Sequence, residues 1–213
     1  MAYKRNQVED AIARILEPSS PRPSLELRTK LKRLLDRDRA AGRIKRARDP
    51  ERASFAFYSE VAPGRGVEVW FTEYEAFALG LGVRMMNHGW PQGLAVAVLR
   101  RGREQLEREH ARILRQDPAS LFDPEAIRQR AKPGTLAVAT TKPVWLAVTF
   151  GERKKRTEPE IEVICRDEAE LMHQIKAVPI GWSWSIFELV VEAHALTSAL
   201  AETQPSKRGR GRA

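Results

Sequence analysis

Leucines at helical spacing, separated by positively charged residues, constrain the fold of this chain more than any other feature. The spacing predicts a helix that begins after an N-cap at Ser24 and extends to about Gly42. Its apolar side carries Leu27, Leu31, Leu34 and Leu35. Its opposite side carries Arg28, Lys30, Lys32, Arg33, Arg37 and Arg39. Because the leucines have to be buried against other elements, the cations are predicted to face outward.

The positive charge is concentrated in this part of the chain. The first 50 residues contain 14 Lys/Arg and 7 Asp/Glu, and the net charge of the whole chain is +9. Such a surplus favours a polyanionic partner, although Asp36 and Asp38 are expected to neutralise part of the helix face. The residues predicted to contact nucleic acid are Arg28, Lys30, Lys32, Arg33, Arg37, Arg43, Lys45, Arg46, Arg65 and, in the C-terminal tail, Lys207, Arg208, Arg210 and Arg212.

Several classes of protein are disfavoured by composition and motifs. Hydrophobic residues make up 42% of the chain, enough for a core, but no apolar run approaches the roughly 18 residues of a membrane span. The N-terminus lacks the apolar stretch of a secretion signal, and Cys165 is the single cysteine, so a cytoplasmic location is predicted. No phosphate-binding glycine motif and no Gly-x-Ser-x-Gly elbow occur, and the four histidines lack metal-site spacing. We therefore predict no enzyme activity, no metal and no cofactor.

The rest of the N-terminal half predicts helices around a β-hairpin. A helix is expected over 5–17, ended by the proline-rich segment 18–24. Strands over 55–58 and 67–71 would form a hairpin with Arg65 at its tip. Thr72 would cap the next helix, which ends at Gly89, and a long charged helix would follow over 94–115. Its narrow apolar seam predicts a homodimer through 94–115.

The C-terminal half predicts a small α+β module beyond a junction at 117–124. Its expected strands are 136–139, 144–150 and 161–165, and its expected helices are 167–176 and 186–202. Trp182 and Trp184 either close a small core, line a ligand pocket or stack on a base. The fold class is thus α+β: a mainly helical winged-helix-like domain with a long trailing helix over 1–116, an α+β module over 117–202, and a disordered basic tail over 203–213.

One part of the chain resembles a known family. Phe71-Thr72, then Glu75, then an apolar helix ending at Gly89-Trp90, resembles the second half of DNA-binding domains of the mercury-resistance-regulator (MerR) type. The resemblance extends from Gly66 to about Leu99. It implies a winged-helix DNA-binding domain in which the wing and a helix contact DNA, and a dimerising helix follows.

These observations lead to a principal expectation and two alternatives. The principal one is a DNA-binding protein, a transcriptional regulator, that contacts the phosphates of double-stranded DNA through the basic helix and the wing. The first alternative is a non-catalytic accessory protein of a mobile element or larger complex, whose basic surface docks on an acidic protein or RNA. The second is a metal-dependent nuclease, because Glu152-Arg153-Lys154 matches the Asp/Glu-x-Lys pattern of some such enzymes.

Overall fold

The protein has an α+β fold, seen in a computed structural model that describes residues 1–59, 68–130, 143–150, 161–177 and 182–205. The chain divides into two compact units. The first comprises Met1–Arg103 together with Ala195–Ala213, and the second comprises Glu104–His194. This division falls at Arg103–Glu104, inside the segment predicted as one long helix, whereas the sequence places a domain boundary at 117.

The first unit is a helical cluster. Its helices are α1 (Arg5–Leu16), α2 (Leu25–Ala41), α3 (Pro50–Ala53), α4 (Glu73–Asn87) and α5 (Gln92–Arg101). Helices α2, α4 and α5 pack on one another, and the four predicted leucines of α2 are buried. At Gly82, a Cβ atom would lie 3.1 Å from Leu34 Cδ1 and 3.2 Å from Leu99 Cδ1, so glycine allows the three helices to approach closely at this point.

The predicted ends of α2 and α4 are confirmed. Ser24 Oγ accepts a hydrogen bond from Leu27 N at 3.0 Å, which caps α2. Thr72 and Glu75 form a reciprocal capping box at the start of α4, with Thr72 N donating to Glu75 Oε2 at 2.8 Å. Gly42 and Gly89 have positive φ values of 61° and 84°, so glycine provides the left-handed backbone that follows α2 and α4.

The predicted β-hairpin is wrong in the part of the chain that the structure describes. Residues 55–58 form a buried irregular segment and no strand. The other predicted strand is reduced to β2 (Trp70–Phe71), and its partner is β1 (Tyr3–Lys4) in an antiparallel pair. The turn with Arg65 lies outside the described residues.

Side chains, rather than a neighbouring strand, pair with the backbone of 55–58. The carboxylate of Asp38 accepts hydrogen bonds from Ala56 N at 3.1 Å and Phe57 N at 3.0 Å. Arg103 Nη1 donates to the carbonyls of Phe55 and Tyr58, both at 2.9 Å. Buried amides and carbonyls need partners but not a particular kind of partner, so apolar β-formers can be buried here without a sheet.

The predicted long helix over 94–115 is interrupted at Gly102. Helix α5 ends at Arg101, and α6 (Arg103–Ile113) begins immediately after the glycine, the weakest helix former apart from proline. The seam expected to meet a second copy is largely buried within the chain itself, since Leu106 and Ile113 are 1% and 0% exposed.

The second unit contains a three-stranded antiparallel sheet. Its strands β3 (Trp145–Phe150), β4 (Ile161–Cys165) and β5 (Ser183–Glu188) have the order β4-β3-β5. The predicted strands 144–150 and 161–165 and the predicted helix 167–176, observed as α9 (Glu168–Lys176), are confirmed. The predicted junction instead forms two short helices, α7 (Pro118–Phe122) and α8 (Pro124–Arg130). The predicted strand 136–139 lies outside the described residues.

The predicted helix 186–202 begins too early. Ile186 and Phe187 belong to β5 and pair with Ala147 and Leu146 of β3. Helix α10 (Val190–Glu202) begins after the strand, where the Glu188 carboxylate accepts hydrogen bonds from Val190 N and Val191 N at 2.8 and 2.9 Å. Trp182 and Trp184 are half-buried. No helix among the described residues is both long and apolar enough to cross a membrane.

Two buried histidines of the second unit predict a pH dependence of stability. Burial, with a contribution from His194, lowers the pKa of His110 to about 4, and burial also lowers the pKa of His194. His194 lies edge-on to Phe122, with ring centroids 5.6 Å apart, and the Ile113 backbone and Glu188 act against the lowering. Both imidazoles are therefore neutral in the folded protein at neutral pH.

The free energy of unfolding should fall as the pH drops from about 6.5 towards 4, because the unfolded chain then binds protons that these histidines exclude in the folded state. His110→Gln should remove up to about 1.4 kcal/mol per pH unit of that slope. Urea unfolding at several pH values measures this slope for wild type and His110→Gln. The control is His173→Gln, on the exposed side of α9. Equal slopes in wild type and His110→Gln would contradict the assignment.

Candidate nucleic-acid interface

Helix α2 separates its apolar and charged residues onto opposite sides. Its buried positions are Leu27, Leu31, Leu34, Leu35 and Asp38. At about 100° per residue, the outward cations fall into two rows. One row is Arg28, Lys32 and Arg39, and the other is Lys30, Arg33 and Arg37. Between the rows lie Thr29, Asp36 and Ala40, which are small or acidic.

On α2, four of the predicted contact residues are available to a partner. Arg28, Lys32, Arg33 and Arg37 are exposed, and their side chains make no ion pair or hydrogen bond within the described residues. Lys30 is engaged, because its Nζ lies 2.5 Å from Glu26 Oε1 and 2.7 Å from Asn87 Oδ1. The face therefore presents cations whose charge is not already matched by neighbouring acids.

The segment that follows α2 adds further exposed cations. Lys45 and Arg46 are exposed, as is Arg48, which the sequence analysis did not single out. Arg43 is half-buried: its Nη1 donates to Ser59 O at 3.0 Å, and its guanidinium lies 5.7 Å from the Phe55 ring centroid. Over residues 22–52 the chain has 12 Lys/Arg and 5 Asp/Glu. Helix α2 and this loop thus form one continuous basic segment, which we call the basic surface.

Arg100 closes the base of the loop. Its Nε donates to Glu51 O at 2.6 Å, and its Nη2 donates to Gly42 O, so one side chain ties both ends of 42–51 together. A backbone hydrogen bond from Ile44 N to Arg52 O, at 2.8 Å, also joins the two ends of this loop. Arg100 is 3% exposed and was not identified from the sequence.

Asp38 does not neutralise the basic surface, and that expectation is wrong. It is fully buried, with Oδ1 3.5 Å from Arg100 Nη1, while Asp36 remains on the outer face. Burial raises the pKa of the Asp38 carboxyl, and the amides of Ala56 and Phe57 and the charge of Arg100 act against that rise. The signal was present in the sequence, because Asp38 continues the spacing of Leu31, Leu34 and Leu35 along the buried side.

The remaining predicted residues cannot be placed. Arg65, the tail residues Lys207, Arg208, Arg210 and Arg212, and the Glu152-Arg153-Lys154 triplet lie outside the described residues. Within the part of the chain that the structure describes, no three His, Cys, Asp or Glu side chains are grouped so that they could hold a metal ion.

Comparisons with protein-family models, with characterised proteins and with solved structures find no match for this chain.

The buried ion pair between Asp38 and Arg100 predicts that substitutions at two nearby aspartates of α2 have very different effects on stability. Asp38→Asn should lower the free energy of unfolding by about 3–5 kcal/mol, because it leaves Arg100 buried without its counter-charge. Asp36→Asn, on the exposed side of the same helix, should change it by less than about 0.5 kcal/mol. Urea denaturation of both variants tests this. Equally small effects of Asp38→Asn and Asp36→Asn would show that the buried ion pair contributes little to stability. An Asp38→Asn/Arg100→Met double mutant measures the coupling between Asp38 and Arg100.

Proposed function

We propose that this protein binds nucleic acid, most simply double-stranded DNA, through the basic surface, and that it acts as a transcriptional regulator. The observation that carries the proposal is the set of exposed, unmatched cations on a helix whose opposite side is anchored in the core. Lys and Arg held in this way gain affinity for a phosphate backbone by releasing its condensed counterions. The regulatory role is supported only by the resemblance to the MerR type.

The two rows suit a duplex better than an arbitrary polyanion. An α-helix with its side chains is about 10–12 Å wide, and the major groove of B-form DNA is about 12 Å wide. A helix lying in that groove with cations on both flanks can reach phosphates of both strands. The residues between the rows, Thr29, Asp36 and Ala40, would then face the floor of the groove.

Homodimerisation through 94–115 stays a prediction. Since Leu106 and Ile113 are already buried within the chain, a coiled coil would have to use the charged side of α6. One protomer therefore provides the contacts proposed here, and the stoichiometry on DNA has to be measured separately.

Removing two unmatched cations should weaken duplex binding and flatten its salt dependence. For Arg33→Gln/Arg37→Gln, the slope of log affinity against log salt should decrease by about 1.8, because about 0.9 counterions are released per phosphate contact. The control, Arg128→Gln/Lys176→Gln, removes the same charge from exposed positions of the second unit. Fluorescence anisotropy across a salt series measures the affinity and its salt slope for both double variants. Equal slopes in the two variants would mean that only net charge matters and that α2 is not the interface.

A truncated chain separates the basic surface from the tail. It should end at Pro205 and keep Thr203, because the buried Gln7 Nε2 donates to Thr203 O at 3.2 Å. Retained, salt-sensitive binding by this chain supports the basic surface. Complete loss of binding would assign the affinity to residues 206–213, and capture of an acidic protein in the absence of DNA affinity would favour the accessory-protein alternative.

A further inference from the structure

A polar cavity lies beside the basic surface, between α1 and the first turn of α2. Its volume is about 380 Å³, within the roughly 300–1,000 Å³ typical of small-molecule sites. One wall is a side of α1 that includes Asp10, and the opposite wall is the segment Ser20–Pro23 with Arg28. All of these residues belong to the first unit.

The segment that forms the second wall is fixed in place by its own hydrogen bonds. Glu17 accepts hydrogen bonds from Ser24 N at 2.9 Å and from Ser24 Oγ at 2.5 Å. Ser20 Oγ donates to Arg22 O at 2.6 Å, and Pro21 and Pro23 restrict the backbone further. The cavity is therefore formed before any ligand arrives, which lowers the entropic cost of binding.

Opposite charges line this cavity without neutralising each other. The side chains of Asp10 on one wall and of Arg22 and Arg28 on the other make no ion pair or hydrogen bond among the described residues. Two other charged residues of the cavity wall, Glu9 and Arg14, are already paired. Glu9 pairs with Arg5 and Arg14 pairs with Glu202, each at 2.7 Å. A ligand that fits must therefore carry an anionic group for the arginines and hydrogen-bond donors for the carboxylate.

We propose that the cavity binds one nucleotide, with its phosphate between Arg22 and Arg28 and its base edge on Asp10. Guanidinium groups bind phosphate oxygens through charge-assisted hydrogen bonds, and a carboxylate accepts from ring and exocyclic N–H groups. Guanine fits best, because its N1–H and N2 amino group present two adjacent donors to one carboxylate. Uracil presents a single N–H between two carbonyls, which the carboxylate repels.

Arg28 connects the cavity to the basic surface, since it lines the cavity and also begins one row of α2 cations. The nucleotide is therefore either free in solution or an unpaired nucleotide of a bound strand. In the second case the inference rests on the proposed function and extends it, from phosphate contact to recognition of one exposed base. In the first case the free nucleotide competes with the strand for Arg28.

Calorimetric titration of the full chain with GMP, UMP and inorganic phosphate tests the site. GMP should bind about tenfold more tightly than UMP, because a charge-assisted hydrogen bond is lost with uracil. Asp10→Asn should abolish the preference and leave phosphate binding unchanged, whereas Arg22→Ala should weaken all three. The matched controls, Asp36→Asn and Arg128→Ala, lie outside the cavity and should behave as wild type. Absence of GMP binding, or unchanged binding in Asp10→Asn and Arg22→Ala, overturns the proposal.

Duplex binding distinguishes the two sources of the nucleotide and separates this proposal from the proposed function. A duplex with one unpaired guanine should bind several-fold more tightly than the fully paired duplex, and Asp10→Asn should remove only that gain. GMP binding without the gain assigns the cavity to a free nucleotide. If the paired duplex binds but neither GMP nor the unpaired guanine adds affinity, the inference fails and the proposed function stands. If GMP alone binds, the proposed function fails and the inference stands.

Discussion

The rest of the first unit depends on the interactions of one fully buried carboxylate, that of Asp38. A charge removed from water needs close partners, and Asp38 has two backbone amides, from Ala56 and Phe57, together with the guanidinium of Arg100. Arg100 in turn holds the carbonyls of Gly42 and Glu51. One carboxylate therefore helps to fix the rotation of α2 and the path of 55–58 and, through Arg100, the two ends of the loop 42–51.

The consequence for function follows from the rotation of α2. With its leucines and Asp38 facing the core, the helix has to present its arginines and lysines to solvent, where Glu26 and Asp36 are the acids that stay among them. An acidic group that the sequence places near the cations is thus removed from the surface and used to hold the helix. The basic surface carries more unmatched positive charge than its composition suggests, which favours partners with a regular array of phosphates.

Local signals predicted the elements whose ends are set by neighbouring residues. Ser24 and Thr72 cap their helices as expected, because an N-cap hydrogen bond spans only three residues. The hairpin over 55–58 and 67–71 was not predicted correctly, because strand pairing depends on a distant partner. Here Trp70 and Phe71 pair with Lys4 and Tyr3, and side chains of Asp38 and Arg103 take the place of a strand along 55–58. Phe187 was assigned to a helix for the same reason: only its partner in β3 marks it as strand.

For the candidate interface, the sequence by itself determined which helix is basic, since the spacing of Leu27, Leu31 and Leu34 leaves one direction for the intervening cations. The tertiary structure decided which of those cations are available. Lys30 is matched by Glu26 and by Asn87, a residue 57 positions away, whereas Arg33 and Arg37 have no such partner among the described residues. It also decided that Asp10, Arg22 and Arg28 line one cavity. Helical periodicity is a property of adjacent residues and can be obtained from the sequence, but charge pairing and cavities depend on residues that only folding brings together.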